Sequence, residues 1–208
     1  MKKLNLALIG VALMLSTAFE SCKKDEQTIK TNSFSYDSKN YETPKGFLDF
    51  YGAEADNKSS SIDLALLSSG ISVDMADTNV VGKGEYVYVE LQSPSLTELV
   101  SGTYTFDPNA NYGVDGSPLK PNTFGDAGIG INYDFANDSV NEYYVGSTST
   151  GSVIINKSGT TYEITFNFTL DGGKKVEGYY KGTLQFIDET GIKKSAQVTN
   201  HKRMRIIK

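Results

Sequence analysis

Along residues 162–170 the chain alternates without a break. Tyr162, Ile164, Phe166, Phe168 and Leu170 fall on one parity, and Glu163, Thr165, Asn167 and Thr169 on the other. Successive side chains of a strand point to opposite faces, so this pattern predicts a strand with one face buried and one wet. A helical reading scatters both sets around the cylinder. The same period of two returns in Ile62, Leu64 and Leu66 against Asp63 and Ala65, and in Val87, Val89 and Leu91 against Tyr86, Tyr88 and Glu90. It returns again in Tyr104 and Phe106 against Thr103 and Thr105, and in Ile129, Ile131, Tyr133 and Phe135 against Gly130, Asn132 and Asp134.

Turn chemistry punctuates these runs. "FSYDSKNYET" predicts two short strands around Asp37-Ser38-Lys39-Asn40, and Gly46 to Tyr51 predicts the next strand. Val153 and Ile155 lead through "NKSGT" into the clear strand, and "DGG" at 171–173 leads on to Val176–Ile187. That is a three-stranded antiparallel meander, with Gly178 and Gly182 predicting a bulge or bend in its last strand. No amphipathic run of helical length occurs; "SLTELV", Ser95 to Val100, makes one turn at most. About ten short strands with half-wet faces predict an all-β chain folded as an antiparallel β-sandwich, with a lipocalin-like β-barrel as the alternative. Composition agrees: 20 Gly, 13 Tyr and 10 Phe suit pleated, turn-rich structure, and there is no Trp.

The front of the chain follows a different rule. Lys2 and Lys3 precede the apolar run Leu4 to Leu15, which ends in small Ser16, Thr17 and Ala18. Charged head, apolar middle and small-residue end make an export signal. The run is too short for a spanning helix, which needs about 20 apolar residues. The only cysteine, Cys22, follows Ser21 and precedes Lys23, Lys24, Asp25 and Glu26.

In this arrangement residues 1–26 resemble bacterial lipoproteins, and "KKDE" after the cysteine is similar to the surface-export signal of Bacteroidetes lipoproteins. The resemblance implies that Cys22 is acylated with palmitate-type chains and becomes the new N-terminus. It also implies an outer-membrane, lipid-anchored and cell-surface location, with the bilayer as partner. Each buried methylene contributes roughly 0.8 kcal/mol, and one chain alone holds only marginally, so two or three chains make release negligible. Residues 1–21 are then a signal peptide, 22–33 the acylated cysteine and a polar tether, and 34–208 a single β domain. The C-terminal half, "SGTYTF" and "GSVIINKSGTTYEITFNFTLDGGKKVEGYYKGTLQF", is similar to uncharacterised β domains of Bacteroidetes lipoproteins, a likeness that carries no known activity.

Removing residues 1–21 takes Lys2, Lys3 and Glu20 from the 20 basic and 25 acidic side chains, leaving 18 against 24. An acidic body argues against nucleic acid as partner. With Cys22 acylated, thiol chemistry and disulfides are excluded. Catalysis by a Ser–His pair would rest on His201 in the basic stretch "HKRMRIIK", which reads as a surface residue. "GSTSTG" at 146–151 lacks the spacing of a nucleophile elbow. "DPNANYGVDG" sets Asp107, Asn109 and Asn111 at alternate places as a calcium loop does. Tyr112 stands in the glycine slot and Pro118 at the twelfth place, so it reads as an Asx-rich turn. Asp138-Ser139-Val140 is similar to the O-glycan acceptor of exported Bacteroidetes proteins, which makes Ser139 a modification candidate. Tyr143-Tyr144 and Tyr179-Tyr180 each set one ring on either face of a strand, and an exposed ring can stack on a sugar. Lys202, Arg203, Arg205 and Lys208, with Met204 and Ile206, read as a charged edge strand.

No catalytic residue, metal ligand or cofactor site emerges. The reading is a non-enzymatic, membrane-anchored module that binds an extracellular glycan or other ligand, or serves an outer-membrane protein assembly. The alternatives are a pilus-like subunit polymerising by strand exchange and, below it, a hydrolase using paired carboxylates.

Overall fold

The computed structural model describes residues 30–75, 79–110, 119–136 and 148–190 with their side chains, and 139–145 as backbone. The leader, Cys22, His201 and the charged stretch 202–208 lie outside the described residues.

Among the described residues thirteen strands follow one another: β1 Ser33–Tyr36, β2 Lys39–Glu42, β3 Lys45–Ala53, β4 Ser60–Leu67, β5 Ile71–Asp74, β6 Asn79–Ser93 and β7 Gly102–Phe106. After a single 3-10 turn at Pro108–Ala110 come β8 Thr123–Asp134, β9 Ser139–Val145, β10 Thr148–Ser158, β11 Thr161–Leu170, β12 Lys175–Thr183 and β13 Gln185–Asp188. Residues 94–98 make bends, and no helical turn forms over 95–100.

All strands belong to one mixed sheet, ordered β13-β3-β4-β6-β8-β7-β10-β11-β12-β1-β2, with β5 on β6 and β9 on β8. The sheet curls strongly into a half-barrel. The all-β expectation therefore holds, and of its two architectures the curled sheet matches the barrel. Strand β7 pairs with both β8 and β10, so the two halves share one hydrogen-bonded ladder. Two pairs, β7–β8 and β13–β3, are parallel. The first is reached through the long connection 107–122, as a parallel pair requires.

The meander β10–β11–β12 forms as the alternation predicts, through turns carrying Gly159, Gly172 and Gly173 at positive φ. The first hairpin also forms: Asp37 (φ 50°) and Ser38 (φ 63°) both sit in the left-handed region, the geometry of a two-residue turn matched to strand twist. The expected bulge at Gly178 and Gly182 does not occur. The β11–β12 register runs unbroken through both. A Cβ at Gly178 would fall inside the Phe166 ring, so this glycine yields its space to an aromatic side chain. The strand is interrupted at Leu184, where the chain passes from β12 into β13 and pairs next with β3.

The concave side holds the main core, in which Phe34, Leu64, Val89, Phe124, Ile164 and Phe168 pack together. Each such side chain contributes roughly 1.5–3 kcal/mol by leaving water. A second apolar cluster lies on the other face of β3, β4, β6 and β8, where Phe47, Ala65, Leu67, Tyr86, Tyr88 and Tyr133 meet Ile71 of β5. All eight residues of β4 are buried. The half-wet expectation therefore fails for this half of the sheet, whose outer side chains join Ile71 of β5 in a second apolar cluster.

Candidate functional site

Two places on the outer face concentrate polar side chains. The first lies in the doubly covered half. Register sets Asp49 of β3 opposite Asp63 of β4, Asp63 opposite Glu90 of β6, and Glu90 opposite Asp126 of β8. Four carboxylates thus stand in one row across four strands. Asp49, Asp63 and Asp126 are 2%, 1% and 3% exposed, and Glu90 is half-buried. Glu189, 5% exposed, comes beside the row because its amide donates to the Phe50 carbonyl at 2.9 Å.

Neutral donors serve part of this charge. Tyr88 Oη donates to Asp126 Oδ2 at 2.7 Å, and the Ala127 amide to Asp126 Oδ1 at 2.9 Å. Tyr51 hydrogen-bonds Asp63; burial first, then the charges of Asp63 and Asp49, raise the pKa of its phenol. Asp49 Oδ1 has no hydrogen-bond partner among the described residues. Burial, helped by the charge of Glu189, pushes the Asp49 pKa up from 3.8 to about 7. One residue pair further along the strands, Gln92 Nε2 donates to Ser61 Oγ at 3.1 Å, and Ser61 Oγ donates to Glu54.

A carboxyl titrating near neutrality beside a second carboxylate has the makings of acid–base chemistry. Asp49, Asp63 and Asp126 are closed to a substrate at 1–3% exposure, and Glu90 alone of the row is half-buried. Among the described residues no three His, Cys, Asp or Glu side chains are grouped to hold a metal ion.

The second place is the wet outer face of β7, β10, β11, β12, β1 and β2. Here Thr103, Ile154, Thr165, Tyr179, Ser33 and Glu42 lie in one cross-strand row. Thr105, Ser152, Asn167, Glu177, Ser35 and Asn40 form the next. Tyr179 Oη donates to Glu163 Oε1 at 3.0 Å, and Lys181 Nζ reaches Glu163 Oε2 at 3.3 Å. These two bonds hold the Glu163 carboxyl below its usual range, the tyrosine bond most. Lys30 Nζ stands 5.0 Å from the Tyr179 ring centroid, and Asn167 Nδ2 donates to Glu177 Oε1 at 3.3 Å. Ile154, 42% exposed, gives the patch an apolar spot.

The candidates from sequence divide accordingly. Tyr179 and Tyr180 do part to opposite faces, Tyr180 entering the core and donating to the Thr183 carbonyl at 2.7 Å. The side chains of Tyr143 and Tyr144 lie outside the described ones, as does that of Ser139, the first residue of β9. Asp107 Oδ1 accepts from the Asn109 amide at 2.9 Å and Oδ2 from Lys120 Nζ at 3.1 Å, the bonding of an Asx turn. Residues 111–118 are not described. The acid row was missed because Asp63 and Glu90 read as wet-face residues. Its signal was the repeated acid between apolar neighbours: Leu48-Asp49-Phe50, Ile62-Asp63-Leu64 and Val89-Glu90-Leu91.

Compared with protein-family models, curated proteins and solved structures, the chain matches none.

Proposed function

We propose that the protein is a lipid-anchored module of the outer membrane that captures an extracellular glycan on its wet outer face without transforming it. Acylated Cys22 holds the chain to the bilayer, and residues 23–33 lift the domain away from it. The observation that carries the reading is the contrast in accessibility. Hydroxyl, amide and carboxylate groups of Thr103, Thr105, Thr165, Asn167 and Glu177 are presented in register on an exposed sheet, beside the ring of Tyr179. Sugars are recognised by such planar sets of donors and acceptors with an aromatic ring for stacking. Asp49, Asp63 and Asp126, by contrast, are buried.

The tether joins the wet half. Asn32 Oδ1 accepts from the Lys181 amide at 2.8 Å and Asn32 Nδ2 donates to the Lys181 carbonyl at 3.1 Å. The tether therefore meets the domain beside the proposed capture face.

Two measurements test the proposal separately. Mass spectrometry of membrane fractions is expected to find Cys22 as an acylated N-terminus; an unmodified residue 22 behind an intact leader would refute the anchor. A glycan array probed with residues 23–208 is expected to show binding that Tyr179→Ala and Asn167→Ala each reduce. Binding unaffected by both, or capture of an outer-membrane protein instead of any glycan, would refute the capture face.

A further inference from the structure

We propose that the seam between β3 and β13 is a pH-operated latch, closed while Asp49 holds a proton and released when Asp49 and Glu189 are both charged. Strand β13 is the end of the sheet path and pairs with β3 alone, over Gln185–Asp188. Its hold is thin. Of those four side chains only Ile187 is buried; Phe186 is 51% exposed, although its ring lies 5.8 Å from that of Phe50. One further backbone bond, from the Glu189 amide to the Phe50 carbonyl at 2.9 Å, lengthens the seam.

That bond also draws a second carboxyl into the joint. Ile187 is in register with Asp49, and Glu189, two residues on, shares its face of the strand. Asp49 and Glu189 are 2% and 5% exposed, and Asp49 Oδ1 finds no hydrogen-bond partner among the described residues. The titratable and charged groups that face Asp49 among the described residues are Glu189 beyond β13, Asp63 across on β4 and Tyr51 of its own strand, whose phenol hydrogen-bonds Asp63. Lys45, on the same parity of β3, donates to the Ser69 and Ile71 carbonyls. Asp188 falls on the opposite parity and accepts from Thr190.

A carboxylate withdrawn from water and set against another is disfavoured twice, by desolvation and by repulsion. Protonation of Asp49 removes both costs, and so does release of β13, which lets water reach the pair. Release is the local answer, because β3 keeps its pairing with β4 from Lys45 to Ala53 when β13 leaves. Burial, then the charge of Glu189, raises the Asp49 pKa from 3.8 to about 7. A folded value above the ordinary one means that the seam is tightest in acid and loosens as pH rises to about 7.

The test is hydrogen exchange on the full chain, read by mass spectrometry and corrected for the intrinsic pH dependence of amide exchange. Protection of the β13 amides, Gln185 to Glu189, is expected to fall about tenfold between about pH 6 and pH 8, while β11 amides hold theirs. Asp49→Asn is expected to leave β13 equally protected at both pH values. Glu189→Gln, which removes only the repulsion, is expected to move the transition to lower pH. Protection of β13 that does not change with pH would overturn the proposal, as would the same fall in Asp49→Asn. A parallel fall in β11 would also overturn it, because the loss would then be global unfolding and not the opening of one seam.

Discussion

The two halves of the outer surface are made from the same curled sheet and end in opposite states. Strands β10, β11 and β12 keep their polar parity in water: Glu163, Thr165, Asn167 and Glu177 are at least partly exposed, and their counterparts Val153, Ile164 and Phe166 fill the core. Strands β3, β4, β6 and β8 bury both parities, and their outer sides hold Tyr86, Tyr88 and the row of acids. The difference lies in what covers the sheet. A strand pairs identically whether its outer side is wet or dry; what packs on that side decides whether it becomes core. Function is expected to divide in the same way, with recognition on the half that stayed open.

The largest test of this division removes a ring from the covered side. Tyr86→Ala, at a fully buried outer position, is expected to destabilise the fold by about 3–5 kcal/mol in urea unfolding, as a core truncation does. The ring closes over Gly130 and packs edge-on against Tyr133 with centroids 5.5 Å apart. A loss below about 1 kcal/mol would make this side a surface, and the contrast would fail.

Next in size is the Asp49 carboxyl, whose sign can be worked out. Its pKa stands at about 7 in the folded chain against an ordinary 3.8, so the folded state binds the extra proton between those values. Stability is then highest below about pH 4 and falls as pH rises to about 7, after which the loss is complete. Asp49→Asn removes that loss. Its advantage over the parent chain is expected to be near zero at pH 4 and to reach on the order of 2–4 kcal/mol at pH 8. An advantage independent of pH would place the carboxyl in water. The smallest effect belongs to the open half: Asn167→Ala and Thr165→Ala are expected to shift stability by no more than about 0.5 kcal/mol while reducing ligand capture.

Legibility in the sequence follows the same boundary. The meander was readable because its two parities differ chemically, Ile164-Phe166-Phe168 against Thr165-Asn167-Thr169, and its turns are local. The hairpin at Asp37-Ser38 was readable for the same reason. Strand β4, "SSIDLALL", alternates too, but alternation reports a difference between faces and not which layers cover them. Asp63 therefore read as wet. The acid row needs four strands whose members are far apart in the chain, and the parallel joining of β13 to β3 depends on a break in pairing at Leu184 that no local residue announces. Gly178 gave a true signal with the wrong cause, being a place for the Phe166 ring and not a bulge.

The central claim is that one sheet carries a sealed acidic half and an open polar half. Carbodiimide labelling of carboxyl groups with glycine ethyl ester, followed by peptide mass spectrometry of the native protein, reads it directly. Glu163 and Glu177 are predicted to label readily, and Asp49, Asp63 and Asp126 to label only after unfolding. Equal labelling of both sets in the native protein would contradict the account.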